Sequence, residues 1–218
     1  MKRVIGLTGG IGMGKTLVSR YLEAAHHLPI LDADVYARDA VAPGSPILAT
    51  IVARYGAELL LADQTLDRRR LGSLVFNDPA ERLWLEQQIH PYVRDRFQAA
   101  LSAEVYQQGT TIVLVIPLLF EAGMTDLVTE IWVVYTSRKL QIERLLQREL
   151  GDGSDGNSLK LAEIQARIDS QMAIAEKIGA ADVVLENSST PEALYAQVDR
   201  ALFRGSQGDR SAPRNGLD

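Results

Sequence analysis

VIGLTGGIGMGKT, residues 4–16, is the stretch around which the rest of the sequence is organised. Its last eight residues, Gly9–Thr16, satisfy the pattern G-x-x-x-x-G-K-[ST] of a phosphate-binding loop, the P-loop. A β-type run enters the loop at Val4 and a helical run leaves it at Leu17, which is the context that a P-loop requires. A glycine-rich turn with an incidental lysine is the alternative, but the pattern arises by chance in roughly one chain in a hundred of this length. We therefore predict that the loop binds a nucleoside triphosphate.

Each residue type in this loop meets a need of phosphate binding. Glycine allows backbone dihedral angles that turn successive N–H groups towards phosphate oxygens, and the helix expected from Gly14 points its positive end at the same anion. Lys15 is predicted to reach the β- and γ-phosphates, and the Thr16 hydroxyl to ligate Mg²⁺. Met13 stands where backbone groups rather than a side chain should do the binding, so a methionine is tolerable at this position. The glycines predicted to shape the loop are Gly9, Gly10, Gly12 and Gly14.

Length and composition limit the class of protein. The chain has 218 residues, which fits one α/β domain with an elaboration, and its net charge of −5 gives no reason to expect nucleic-acid binding. The absence of cysteine excludes disulfides, thiolate zinc sites and a cysteine nucleophile, and it fits a cytoplasmic location. No apolar run approaches the ~20 residues that span a membrane, and the basic start runs directly into the first strand, so we expect neither a membrane span nor a signal peptide.

Two aspartates follow the second predicted strand. The short strand Pro29–Leu31 delivers Asp32 and Asp34 at its carboxyl end, where open parallel sheets bind their ligands. One aspartate could cap the next helix, predicted over residues 35–41, while the other does chemistry. The sequence therefore predicts a catalytic role for one of the two.

The middle of the chain is predicted to be helical. Between residues 35 and 108 we find no clear strand, and cap signals predict a helix over 46–55. Another helix should begin after Asp78, break at Pro91 and resume to Gln108. This segment could be an inserted acceptor-binding subdomain or a structural cover, and composition alone leaves both open.

Two continuous apolar runs predict central strands buried on both faces, Thr110–Ile116 and Ile131–Tyr135. A helix over Arg138–Arg148 should follow the second strand, with Arg144 and Arg148 on one face. These arginines could complement the helix dipole or clamp transferring phosphoryl groups, and both interpretations remain open.

The last part of the chain predicts further helices around one more strand. An acidic, glycine-rich loop at residues 151–158 precedes a helix predicted over Leu159–Ile178. A last strand over Ala181–Asn187 and a final helix to about Phe203 should follow. The polar tail Gly205–Asp218 is predicted to be disordered.

These motifs, in this order, resemble those of the dephospho-CoA kinase family. The resemblance covers Lys2 to about Leu202 and rests on GLTGGIGMGKT, DADVYAR at 32–38, HP at 90–91, IPLLFE at 116–121 and the helix that carries the two arginines. It implies transfer of the ATP γ-phosphate, with Mg²⁺, to the 3′-hydroxyl of the ribose of dephospho-CoA, the last step of coenzyme A synthesis. It implies a three-layer α/β P-loop fold with a five-stranded parallel sheet, an acceptor-binding helical insertion and a lid. The expected bounds are a core over 1–34 and 109–204, an insertion over about 35–108 and a lid over about 138–170.

The resemblance also implies roles for individual residues. The nucleotide loop would comprise Gly12, Met13, Gly14, Lys15, Thr16 and Leu17, with Asn187 on the adenine side. The catalytic residues would be Lys15, Asp34 as general base, and Arg144 and Arg148 from the lid. The residues expected to contact the acceptor are Thr8, Asp34, Arg38, His90 and Leu118. Two departures from the family pattern are Met13-Gly14-Lys15-Thr16-Leu17, where Ser-Gly-Lys-Ser/Thr-Thr is common, and a few extra residues in the lid loop.

Two other classes of protein compete with this interpretation. A shikimate-type kinase would need a glycine-rich turn after the third strand, where Pro117, Leu118 and Leu119 stand instead. A regulatory GTPase would need an Asn-Lys-x-Asp motif, which the sequence lacks. We expect a monomer or weak homo-oligomer that binds ATP and a small-molecule acceptor, and neither nucleic acid nor membrane.

Overall fold

The computed structural model describes residues 2–76, 78–103, 109–150 and 157–206. Its elements in chain order are β1 (Arg3–Thr8), α1 (Lys15–His26), β2 (Ile30–Asp32), α2 (Ala33–Ala40), α3 (Pro46–Tyr55), α4 (Arg68–Phe76), α5 (Pro79–Ser102), β3 (Thr111–Val115), β4 (Glu130–Tyr135), α6 (Arg138–Leu150), α7 (Asn157–Asp169), α8 (Ile174–Gly179), β5 (Val183–Glu186) and α9 (Pro191–Ser206). Predictions for residues 104–108, 151–156 and 207–218 lie outside the described residues. Helix α9 reaches two residues into the predicted tail.

The strands form the predicted five-stranded parallel sheet, in the order β2-β3-β1-β4-β5. Strand β1 pairs in parallel with β3 and with β4, and β4 pairs in parallel with β5. In this register Ile5 lies opposite Val113, and Leu7 lies opposite Trp132. The central position of β1 places the P-loop that follows it at the middle of the sheet's carboxyl edge.

Both faces of the central strands are buried, which explains why their sequences are continuously apolar. One face packs against α1 and α9 in a core formed by Ile5, Leu7, Val18, Leu22, Val113, Val115, Trp132, Val134, Leu185, Leu194, Val198, Ala201 and Leu202. On the other face, Ile112, Leu114 and Val133 are fully buried as well. The fold class is therefore α/β, as predicted.

The chain divides into two compact units by its internal contacts. Unit 1 contains Lys2 and the described part of Leu31–Thr110, and unit 2 contains Arg3–Ile30 and the described part of Thr111–Asp218. Unit 1 is helical and has its own core, formed by Ala40, Val41, Leu48, Ile51, Leu59, Leu66 and Leu71. Within it α2 packs on α5, where the ring of Tyr36 meets the ring of Phe97 edge-on at 5.1 Å.

The helix starts predicted after Ser45 and Asp78 are confirmed, whereas α2 starts at Ala33, two residues before its predicted start. The Ser45 hydroxyl accepts a hydrogen bond from the Leu48 N–H at 3.1 Å, and α3 runs over the predicted residues. The Asp78 carboxylate accepts from the N–H groups of Ala80 and Glu81. These side chains satisfy backbone donors that a helix start leaves without partners.

The predicted break at Pro91 is wrong, because α5 continues through this residue from Pro79 to Ser102. A proline inside a helix removes one backbone hydrogen bond and costs about 3 kcal/mol. Val93 and Phe97, both beyond the proline, are buried. Fully burying two such side chains contributes roughly 1.5–3 kcal/mol each, which is enough to offset the break.

The single helix predicted over Leu159–Ile178 is also wrong, because the chain forms two helices, α7 and α8, separated by residues 170–173. Between them the Met172 N–H donates to the Glu121 carboxylate at 3.1 Å instead of to a helical carbonyl. An acceptor supplied from another part of the fold thus stabilises the interruption, and a local sequence pattern cannot reveal it.

Candidate active site

The P-loop connects the end of β1 to the first turn of α1. Gly14 caps α1 with φ of 101°, a left-handed conformation that disfavours residues with a Cβ. A Cβ on Gly14 would also come within 2.1 Å of the Asn187 side-chain nitrogen. Position 14 therefore requires glycine. The twelve-residue helix that follows directs unpaired N–H groups and its positive dipole end towards the loop.

Lys15 lies against the loop's own backbone. Its ammonium group donates to the carbonyl of Gly9 at 2.8 Å and to that of Gly10 at 2.9 Å. These bonds hold a full positive charge at the glycine-rich turn. Phosphate oxygens are stronger partners for an ammonium group than neutral carbonyls, so an anion in the loop can take over these bonds.

Met13 has a structural role within the loop. Its side chain is only 3% exposed, and its sulfur accepts the Gly10 N–H at 3.2 Å. The Met13 N–H in turn donates to the Gly10 carbonyl at 3.3 Å. The thioether thus fills the inside of the turn and fixes its shape, and its flexible, polarisable chain suits that irregular space.

Asn187 holds the same loop from the carboxyl end of β5. It is buried, and its side-chain amide donates to the Met13 carbonyl at 2.9 Å. Its own N–H donates to the Tyr135 carbonyl at 2.8 Å, which extends the pairing of β4 and β5. The structure therefore gives Asn187 a role in shaping the loop, whereas its predicted contact with adenine remains a prediction.

Helix α6 packs one face on the P-loop. The Gln141 side chain donates to the Ile11 carbonyl at 2.7 Å, and Leu145 packs so close that a Cβ on Gly12 would lie 2.8 Å from it. Arg144 and Arg148 share this face by helical spacing. The Arg144 Nη1 atom is buried and has no hydrogen-bond partner among the described residues. A buried guanidinium nitrogen without a partner is costly, so this place suits an anionic ligand.

The remaining residues predicted to contact nucleotide, metal and acceptor in unit 2 differ in exposure. Thr16 is exposed in the first turn of α1, whereas the Leu17 side chain packs against the core, which leaves only its backbone for a ligand. Thr8 is fully buried and donates its hydroxyl to the Pro117 carbonyl at 3.1 Å. We therefore expect Thr8 to position the strand end rather than to touch a substrate. Leu118 is half-buried after β3.

The other predicted acceptor residues belong to unit 1. The Asp32 carboxylate accepts the Asp34 N–H at 2.8 Å and so caps α2, which leaves the exposed Asp34 in the first helical turn. Arg38 is exposed one turn further along the same helix face. Burial lowers the pKa of His90, although the nearby Glu86 opposes this shift. The cap role thus falls to Asp32, an assignment that the sequence left open between the two aspartates.

Sequence reasoning missed four polar residues of unit 2. Gln141 and Gln171 bind the backbone of Ile11, and Lys177 and Glu121 form an ion pair beside Pro117. Lys177 is fully buried in α8. The one available signal was a lysine three residues after Ile174, and thus on the same face of the helix as that apolar residue.

This site is typical of a P-loop kinase. It combines a P-loop at the centre of a parallel sheet, the lysine of that loop and an arginine-bearing helix beside it. A family model described as dephospho-CoA kinase matches residues 3–192. The chain belongs to the dephospho-CoA kinase family. It is 55% identical over 201 residues to the dephospho-CoA kinase of Trichormus variabilis, and the aligned region covers 92% of this chain and 97% of the relative. It is 50% identical to that of Synechocystis sp. over 200 residues, 92% and 94% of the two chains.

Solved structures agree with this assignment. A dephospho-CoA kinase from Campylobacter jejuni superposes with a TM-score of 0.68 at 25% identity, over 96% of this chain and all of the other. A shikimate kinase from Aquifex aeolicus has a TM-score of 0.52 at 14% identity, which shows a shared fold alone. None of the described helices is long and apolar enough to cross a bilayer.

Proposed function

We propose that this protein transfers the γ-phosphate of ATP to the 3′-hydroxyl of the ribose of dephospho-CoA, giving coenzyme A and ADP. The observation that carries the proposal is the match of the dephospho-CoA kinase family over residues 3–192, which takes in the P-loop, the strand-end aspartates and the arginine-bearing helix. The alternative, a shikimate-type kinase, has only the likeness of fold at 14% identity in its favour.

The P-loop and α6 would hold the triphosphate. Backbone N–H groups at the start of α1 and the Lys15 ammonium would bind the phosphates, and Arg144 and Arg148 would neutralise charge on the transferring group. The buried, unpartnered Nη1 atom of Arg144 supports this role. Mg²⁺ would be held by the Thr16 hydroxyl together with phosphate oxygens, where it supplies further charge neutralisation.

Asp34 would act on the acceptor. Its carboxylate would accept the proton of the 3′-hydroxyl as that oxygen forms its bond to the γ-phosphorus and the bond to the β-phosphate oxygen breaks, releasing ADP. Asp34 is exposed, while the neighbouring Asp32 is engaged as a helix cap. Arg38, on the same face of α2, and His90 are proposed to bind other parts of the acceptor.

Product analysis tests the proposal. Mass spectrometry after incubation with Mg·ATP and each of several acceptors should show conversion of dephospho-CoA to coenzyme A. The kcat/KM should exceed that for shikimate, gluconate or nucleoside monophosphates by at least ~10³-fold, which requires only ~4 kcal/mol of differential transition-state binding. Comparable phosphorylation of another acceptor would be consistent with a kinase but would refute dephospho-CoA as its specific substrate.

We also propose a cytoplasmic location and a monomeric or weakly self-associating state, as expected from the sequence. Light scattering coupled to size-exclusion chromatography tests the second. A stable oligomer at micromolar concentration would contradict it.

A further inference from the structure

The backbone of Ile11, inside the P-loop, is held from two sides by glutamines. Its N–H donates to the Gln171 side-chain oxygen at 3.0 Å, and its carbonyl accepts from the Gln141 side-chain nitrogen at 2.7 Å. Gln141 lies in the first turns of α6, and Gln171 follows the end of α7. Gln141 thus lies in the first, and Gln171 just beyond the second, of two helices that we call the arm, residues 138–150 and 157–169.

The base of the arm is closed by an ion pair. The Arg138 guanidinium binds the Asp169 carboxylate at 2.8 Å, which joins the first residue of α6 to the last residue of α7. Both side chains are exposed, so the pair contributes little to stability. It shows, however, that the two ends of the arm meet beside the loop that the glutamines hold.

The segment that carries Gln171 has a second attachment to the sheet. The Met172 N–H donates to Glu121, whose carboxylate pairs with the Lys177 ammonium at 2.8 Å. Lys177 is fully buried and also donates to the Pro117 carbonyl at 3.2 Å, which accepts the Thr8 hydroxyl too. A buried charge is tolerated only with partners in good geometry, so this arrangement resists displacement. Gln171 therefore projects from a fixed point next to the ends of β1 and β3.

We propose that Gln141 and Gln171 form a clamp on Ile11 that holds the P-loop backbone in the shape that binds phosphate, with Glu121 and Lys177 as its anchor. The clamp rests on the proposed binding of a nucleotide by the loop. Both glutamines are positioning residues, since they bind loop backbone rather than ligand. A loop held in this shape keeps its backbone N–H groups directed at the phosphates, so the clamp raises the affinity for nucleotide.

A purely structural role is the competing explanation, because any buried backbone group needs a partner. The two explanations differ in what a lost hydrogen bond changes. A structural role lowers the melting temperature and leaves the nucleotide affinity of the folded protein unchanged. The clamp requires that the affinity fall, together with the protection of the P-loop amides from hydrogen exchange.

The test uses Gln171→Met and Gln141→Met, which keep side-chain length and remove the hydrogen bond, and the double variant. Gln165→Met and Gln147→Met are the matched controls, since both residues are exposed on α7 and α6. Calorimetry with Mg·ADP should show a dissociation constant about 5–10-fold higher for each clamp variant, as expected for the loss of one hydrogen bond. The double variant should lose less than the product of the two single effects, and the controls should stay within about twofold.

Hydrogen exchange of the peptide containing Ile11 gives a readout that needs no ligand. Gln171→Met should lose protection there, and Gln171→Glu, which keeps an acceptor for the Ile11 N–H, should retain it. If Gln171→Met does not fold, Gln141→Met carries the same test from the other side. Wild-type affinity and protection in either folded methionine variant overturn the clamp. Neither measurement uses an acceptor, so failure of the proposed reaction is detected separately.

Discussion

The side-chain amide of Asn187 occupies the space that a side chain on Gly14 would need, 2.1 Å from the position of the missing Cβ. The same amide donates to the carbonyl of Met13. The P-loop is therefore shaped by a residue at the end of β5, 174 positions beyond Met13 in the chain. Its glycine is required by this neighbour as well as by the left-handed backbone.

We expect Asn187→Asp to weaken nucleotide binding more than Asn187→Ala does. Alanine merely removes the hydrogen bond to the Met13 carbonyl, whereas aspartate places a negatively charged acceptor against that carbonyl and near the phosphates. The dissociation constant for Mg·ATP should rise about 5–10-fold for alanine, and further for aspartate. Ser189→Ala, at an exposed neighbouring position, is the control for calorimetry. Equal affinities for all three variants would contradict this role of Asn187.

We expect Lys15→Ala to abolish turnover without unfolding the protein. The Lys15 ammonium group donates to two loop carbonyls, and its charge should stabilise the transferring phosphoryl group. The loss in kcat/KM should reach at least ~10³-fold, which corresponds to ~4 kcal/mol of barrier. Lys139→Ala, on the exposed side of α6, is the matched control. Near-normal turnover in a folded Lys15→Ala protein would refute the P-loop assignment.

We expect Arg144→Met to lower kcat more strongly than it lowers nucleotide affinity. The Nη1 atom of Arg144 is buried without a partner among the described residues, so its removal costs the fold little. Loss of one charge donor to the transferring group should reduce kcat by roughly 10²–10³-fold. Steady-state kinetics and thermal melting check this prediction for Arg144→Met. Arg200→Met on α9 is the control. A large fall in melting temperature with little change in kcat would indicate a structural role instead.

The elements that sequence predicted best are those whose signal is local. The strands predicted at 110–116, 131–135 and 181–187 are present with no end shifted by more than about two residues, because a continuous apolar run indicates a buried strand without information about its neighbours. The Ser45 and Asp78 caps are confirmed for the same reason, since each cap bonds a backbone group within three residues.

What the sequence did not reveal depends on contacts between distant residues. Helix α5 passes Pro91 because Val93 and Phe97 are buried beyond it, and the interruption after α7 is stabilised by Glu121, about 50 residues earlier. Met13 likewise owes its role to the fold of the turn around it. In the candidate site, the loop lysine and the arginine helix were found from motifs, whereas the glutamines that hold Ile11 belong to no motif.

We expect Glu81→Gln to destabilise the protein at neutral pH and to do so less in acid. The Arg54 guanidinium binds the Glu81 carboxylate and lies over the Trp84 ring at 4.5 Å, tying α3 to α5. Hydrogen bonds from Arg54 and then Tyr55 lower the pKa of Glu81 from 4.5 to about 2. The ionised form therefore stabilises the fold above pH 4.5, and this contribution is lost as the pH falls towards 2.

Thermal melting between pH 7 and pH 3 checks this expectation. The wild type should melt roughly 1–3 °C above Glu81→Gln at pH 7, because the pair is partly exposed, and the difference should shrink below pH 4.5. Asp95→Asn, exposed on the same helix, is the control. A difference that stays constant with pH would show that the charge of Glu81 is irrelevant.

Substitutions of the two aspartates at the start of α2 should affect different properties, stability for Asp32 and catalysis for Asp34. Asp32 caps the helix through the Asp34 N–H, so Asp32→Ala should cost about 1 kcal/mol, or 2–4 °C in melting temperature, with a modest effect on kcat. The exposed Asp34 accepts the acceptor's proton in the proposed reaction, so Asp34→Asn should lower kcat by roughly 10²-fold or more at an unchanged melting temperature. Affinity for Mg·ATP should change little in either variant. Asp39→Asn, at an exposed position on the same helix, is the control. A kcat loss greater for Asp32→Asn than for Asp34→Asn would show that the two roles are assigned the wrong way round.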